Sequence, residues 1–188
     1  EALARGFEIV VHCMEQVDLL ESAPAGTATV WLKFDTGMNR LGFDPADADD
    51  IIARLRRSPG VDEMRLMTHL SSADELDAPT TAEQLERFRP IIEGFDGDVS
   101  IGNTPATLGW PSVRNAREEF GFTGQNWLRP GIALFGVSPF GDRTGVELVL
   151  TDDQTIPTRQ SISIMQNNAL IGLMLVLLVI TLIRIFYT

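Results

Sequence analysis

The stretch Lys33-Phe34-Asp35-Thr36-Gly37-Met38-Asn39-Arg40-Leu41-Gly42 gathers an amine, a carboxylate, a hydroxyl and a guanidinium at what reads as the end of a strand. Gly37 and Gly42 permit tight backbone on either side of Arg40. Polar and cationic groups at the end of a buried strand are where α/β folds place their chemistry. Three further clusters have the same character: His69-Leu70-Ser71-Ser72-Ala73-Asp74, Gly102-Asn103-Thr104, and Arg129-Pro130-Gly131. Amides, hydroxyls and backbone N–H groups of this kind bind an anion without a basic surface. Taken singly, His69 reads as a structural histidine, Arg129 as an ion-pair partner and Asn103 as a turn residue.

The elements that must position these clusters alternate. Phe7–His12 reads as a short buried strand and Glu15–Leu20 as a helix. A turn at Pro24-Ala25-Gly26 leads into a strand over Thr27–Phe34, where Val30, Leu32 and Phe34 share one face. Asp44-Pro45 predicts a helix start, with a capping side chain followed by proline, and that helix runs to Arg57. Met64–Leu70 is the next strand. Thr81 and Gln84 have the spacing of a capping box, and Leu85, Phe88, Ile92 and Phe95 then recur as one helical face. Val99–Ile101 is a short strand, Ala106–Leu108 a turn of helix, and Gly131–Gly136 the fifth strand candidate. Such alternation implies a parallel sheet flanked by helices. Five strands are too few for a closed eight-stranded barrel. Either the sheet is open, or it is the later part of a barrel.

The bulk numbers narrow the partners. A net charge of −11 over 188 residues excludes a nucleic-acid partner, since phosphate backbones need a basic face. A phosphorylated small molecule is compatible, because it needs only local donors. One cysteine, Cys13, allows no intrachain disulfide and fits a reducing compartment. Glu1–Gly6 lacks the pattern of a secretory leader, so a cytoplasmic location is expected for this part. Lys33 is the only lysine and Tyr187 the only tyrosine.

The four blocks together resemble the alanine racemases. Those blocks are Lys33–Gly42, Met67–Asp74, Gly102–Leu108 and Leu128–Pro139, in the family's order, and the resemblance covers roughly residues 5 to 140. It implies an α/β fold: a partial (β/α) barrel of the pyridoxal-phosphate type, with its first strands lying upstream. It further implies a pyridoxal 5'-phosphate cofactor, alanine as substrate, and a homodimer. Arg129 would lie against the pyridine nitrogen, with His69 orienting it. Asn103, Thr104 and the amides of Gly131 and Ile132 would hold the phosphate. Arg40 would reach the cofactor's phenolic oxygen or the catalytic tyrosine, and Lys33 matches a lysine that some members carry carbamylated, where it positions that arginine. The Schiff-base lysine and the tyrosine base of the family match nothing among these 188 residues, so the isolated chain is expected to be inactive. A non-catalytic phosphate-binding domain is the alternative.

Composition changes beyond about Gly141. Residues 141–164 read as a junction, and residues 165–188 as a transmembrane helix built on the uncharged run Ala169–Ile183. Arg184 would snorkel and let the apolar stretch extend through Tyr187, giving membrane contact through 169–187. Val146–Gln154 and Asn167–Val179 resemble resistance-nodulation-division efflux transporters, which would make the tail a fused, membrane-anchored piece.

Overall fold

A computed structural model describes residues 5–26 and 28–140. The junction, the uncharged run and the transporter-like stretches expected from the sequence lie outside those residues. Among the described residues, no helix is long and apolar enough to cross a membrane.

Four parallel strands form one sheet in the order β1 (Ile9–Val11), β2 (Ala28–Lys33), β3 (Val61–Met67) and β4 (Val99–Ser100). Their registers pair Val11 with Leu32, Leu32 with Leu66, and Leu66 with Val99. A fifth position is taken by the segment after Gln125, through parallel bridges from Val99 to Asn126 and from Asn103 to Arg129. Helices connect the strands: α1 (Met14–Glu21), α2 (Ala48–Arg57) and α3 (Thr80–Ile92), then three short ones, α4 (Thr104–Gly109), α5 (Pro111–Arg114) and α6 (Ala116–Phe120).

The sequence explains these choices locally. Asp44 accepts from the Ala46 amide and starts a 3-10 turn at Pro45–Asp47 that leads into α2. In α2, Ala48, Ile51, Ile52 and Leu55 are buried at helical spacing. Asp49 and Asp50 stand in its first turn and Arg54, Arg56 and Arg57 in its last, each suited to the helix dipole. On β2, Val30 and Leu32 are fully buried under the helices. Phe34, beyond the strand end, packs with Phe43 and Phe88 at centroid separations of 6.5 and 6.3 Å.

Three sequence readings are corrected. Gly131–Gly136 is not a strand: residues Ile132–Phe135 form a 3-10 turn, and the sheet's fifth position lies earlier, at Asn126–Arg129. Pro130 has no N–H to give a ladder, and a short apolar run carries no periodicity that distinguishes strand from turn. Thr81 and Gln84 do not form a capping box. Helix α3 starts from Pro79 without a side-chain cap, and Gln84 is fully buried in tertiary contacts. Strand β3 is shifted toward the N-terminus, so Thr68–Leu70 becomes its polar exit.

Residues 5–131 and 139–140 belong to one compact unit, and Ile132–Ser138 belongs to a second. Within that second stretch Ile132, Leu134, Phe135 and Val137 are exposed.

Candidate functional site

Every expected site residue of the first unit lies at the C-terminal end of a strand. Lys33 closes β2 and Arg40 lies in the loop after it. His69 follows β3, Asn103 and Thr104 follow β4, and Arg129 and Gly131 follow the fifth position. Parallel strands point their ends the same way, so these side chains gather along one rim.

The loop after β2 is built around Asp35. Its carboxylate accepts from the backbone N–H groups of Gly37 at 3.0 Å, Asn39 at 2.9 Å and Arg40 at 2.9 Å. Burial works to raise the Asp35 pKa, but these amides outweigh it and hold the carboxyl below its usual range. The wrap requires positive φ at Gly37 (136°), Asn39 (56°) and Gly42 (135°). Arg40 leaves this loop exposed.

Arg129 is the best-anchored cation of the rim. One guanidinium nitrogen, Nη1, donates to Ser100 Oγ. The other, Nη2, donates to the Thr68 carbonyl at 2.7 Å and approaches His69 Nδ1 at 3.5 Å, the outer limit of a hydrogen bond. A guanidinium can only donate, so Nδ1 is the acceptor and the ring proton sits on Nε2. Burial, and then the charges of Arg129, Arg40 and Lys33, push His69 down to about 4, which leaves it neutral near pH 7. Burial also lowers Arg129, to about 10. Lys33 is only 7% exposed. Its pKa is lowered by burial and by Arg40, with Asp35 opposing and Arg129 adding to the fall.

Two expected phosphate ligands have other work. The Asn103 side-chain oxygen caps α4 by accepting from Ala106 N at 3.1 Å, and its amide donates to the Leu70 carbonyl at 3.0 Å. It ties the end of β4 to the end of β3. The Gly131 amide donates to the Arg129 carbonyl at 2.8 Å. Thr104 is buried at the first position of α4. Ile132 lies in the second unit, at the start of its 3-10 turn.

Below the rim, an open cavity of about 280 Å³ is lined by Val10, Trp31, Met67, Ser100, Trp127 and Arg129, among others. Arg65 lies over the Trp31 and Trp127 rings at 5.3 and 5.7 Å and pairs with Glu8 at 2.9 Å and Glu63 at 2.7 Å. This cluster fixes the segment carrying Trp127, two residues before Arg129. Sequence reasoning missed it, together with Ser100, because neither stands in a polar strand-end cluster; Thr36 and Thr68 lie inside the quoted stretches without a role of their own, and Gln84 was read as part of a capping box.

A donor set of this type suits an anionic aromatic ligand. Among the described residues, Lys33, Arg40 and Arg129 make no ion pair with a carboxylate, and Arg129 is held by a hydroxyl and a carbonyl. The rim therefore carries positive charge that no carboxylate of the described residues pairs with.

Comparison with known proteins identifies the family. The family model described as alanine racemase, N-terminal domain, matches residues 1–139. The chain is 44% identical over 139 residues to a catabolic alanine racemase of Pseudomonas aeruginosa, covering 73% of this chain and 36% of that protein. It superposes on the crystal structure of the biosynthetic alanine racemase from Pseudomonas aeruginosa with a TM-score of 0.64 and 37% identity, over 78% of this chain and 38% of that one. The alanine racemase from Bartonella henselae, solved with covalently bound pyridoxal phosphate, shares the fold at 20% identity and a TM-score of 0.58, over 76% of this chain and 40% of that one. The chain thus spans well under half the length of these relatives. Over residues 1–139 it belongs to the alanine racemase family, as part of that family's N-terminal domain.

Proposed function

We propose that this chain carries the pyridoxal 5'-phosphate-facing rim of an alanine racemase, an enzyme that interconverts L- and D-alanine. The observation that supports it is the convergence of Lys33, Arg40, His69 and Arg129 at strand ends, with no carboxylate partner for the lysine and the two arginines among the described residues. When bound, the cofactor would withdraw electrons from the substrate's α-carbon and make its proton removable. The residues of this chain hold and tune it. Arg129 would hold a cation toward the ring nitrogen and disfavour a proton there. Neutral His69 accepts from Arg129 and sets its orientation. Thr104, together with the strand-exit segments at Asn103 and Gly131, would supply the phosphate end. Arg40 addresses the ring oxygen. Lys33, lowered in pKa, is held toward the amine form that reacts with carbon dioxide, and the resulting carbamate would give Arg40 an anion that it does not find among the described residues.

Within these 188 residues no lysine or tyrosine stands in the position of either catalytic base, so the chain alone binds the cofactor without racemising alanine. A second copy of this chain would bring neither base, so pairing two copies would not supply them. Equilibrium dialysis against pyridoxal phosphate and chiral detection of alanine test both statements. The expected result is saturable binding weakened at least about tenfold in Arg129→Ala, the ~1.4 kcal/mol scale of one charge-assisted contact, with no D-alanine formed. Equal binding by the variant contradicts the placement of Arg129, and turnover contradicts the missing bases.

The fifteen-residue uncharged run Ala169–Ile183 carries a second proposal, a membrane anchor of transporter-like sequence. Detergent phase partitioning of the chain with and without residues 165–188 tests it. Retention of the full chain in the aqueous phase contradicts it.

A further inference from the structure

Helix α3 sends one polar side chain into the interior beneath the rim. Gln84 is fully buried, and both ends of its amide are used. Oε1 accepts from the Ser71 amide at 2.9 Å and from Ser71 Oγ at 3.1 Å. Nε2 donates to the His69 carbonyl at 3.1 Å and to Thr36 Oγ1 at 3.3 Å. Thr36 Oγ1 in turn shares a 2.8 Å hydrogen bond with Thr68 Oγ1, which donates to the Phe34 carbonyl at 3.0 Å. The Thr68 carbonyl accepts from Arg129. One amide thus joins the exits of β2 and β3, and through Thr68 the chain of contacts ends on the guanidinium. A buried amide costs free energy unless it is satisfied, and this one is satisfied only by groups on both strand exits.

We infer that Gln84 is a positioning residue: it clamps the exits of β2 and β3 and thereby sets where His69 stands relative to Arg129. The inference deepens the cofactor-rim reading, on which its functional meaning rests, but the geometry it asserts exists without the cofactor. Gln84 touches neither ring. It acts through the 69–71 backbone and through Thr36. Its neighbour on the same helix, Thr81, is equally buried and makes no hydrogen bond through Oγ1 among the described residues, so it offers a control without a clamp.

The chain holds two histidines, so ring resonances in proton–nitrogen correlation spectra are assignable with a single His12 variant. The charged groups facing His69 are Arg129 on the fifth segment, Arg40 on the loop after β2 and Lys33 on β2 itself. Asp35 faces Lys33 from the same loop. In the full-length chain without cofactor, Gln84→Leu keeps most of the volume and removes all four contacts. The expected outcome is a rise of the His69 midpoint by at least about one pH unit as the exit loosens and the ring gains water. Thr81→Val leaves it at the parent value. Thr36→Val removes one link of the chain and keeps the rest, and gives a smaller rise. Should Gln84→Leu fail to fold, judged by circular dichroism, Thr36→Val and Ser71→Ala decide the question, since each breaks only part of the chain without adding a charge. A His69 midpoint unchanged in the folded Gln84 variant overturns the inference, as does a shift equally large in Thr81→Val. Pyridoxal phosphate binding is read separately on the parent. Its failure would remove the cofactor reading and leave the clamp standing.

Discussion

His69 is kept neutral by the same groups that make the rim positive. Burial and the charges of Arg129, Arg40 and Lys33 place its folded midpoint near 4, against 6.5 for the free side chain. The sign of the consequence is fixed. Between pH 6.5 and 4 the unfolded chain takes up a proton at this position and the folded chain does not, so stability falls as pH falls through that window. Asp35, whose pKa is lowered from 3.8, contributes its own loss only at lower pH. Urea unfolding of the parent and of His69→Gln across about pH 7 to 4 is expected to give a steeper acid decline in the parent. Equal slopes would mean that His69 is not held neutral. The types of these residues were legible in the sequence, because they stand in polar clusters after apolar runs. Their partners were not: Ser100 ends β4 and Thr68 follows β3, and only the fold brings them to Arg129. The spacing of Thr81 and Gln84 also misled for a physical reason. A local capping box and a buried tertiary amide use the same residue types, and only burial separates them.

The loop from Asp35 to Phe43 is the element that places Arg40. It is closed by backbone pairing, with Asp35 N donating to the Phe43 carbonyl and Phe43 N to the Lys33 carbonyl, each at 2.9 Å. Gly42 sits at φ 135°, and a Cβ there would stand 2.5 Å from Asp35 N and 2.7 Å from Phe34 C. Both contacts are with backbone and cannot be relieved by a rotamer. Gly42→Ala is expected to cost about 1–3 kcal/mol, read by thermal unfolding, and to weaken pyridoxal phosphate binding with Arg40 displaced. Parent-like stability would show that the loop yields freely. Here the sequence was informative, since two glycines flanking an arginine after an alternating strand have few other uses. The apolar run from Gly131 was not. Pro130 ends the ladder, and residues 131–136 have neither alternation nor helical spacing.

At the largest scale, within the first unit, one layer of helices covers one face of a parallel sheet. Phe34, Phe88, Leu32, Leu55, Leu66 and Ile92 are essentially inaccessible to solvent at that interface. Phe88→Ala is expected to cost about 3–5 kcal/mol by urea unfolding, the scale of a large buried aromatic, and a loss under about 1 kcal/mol would mean the layer is not closely packed. The alternation of strand and helix announced this architecture, because each period is long enough to recognise and all strand exits are polar. The sheet's fifth member was misplaced by a few residues, since it pairs by isolated bridges. Central to this picture is the convergence of the strand exits on pyridoxal phosphate. Titrating the ligand into the full-length chain while following the two histidine rings by nuclear magnetic resonance tests that convergence most directly. The expected result is a saturable shift of His69 with His12 unmoved, lost in Arg129→Gln. Matching shifts of both histidines, or none at His69 under saturating ligand, would contradict it.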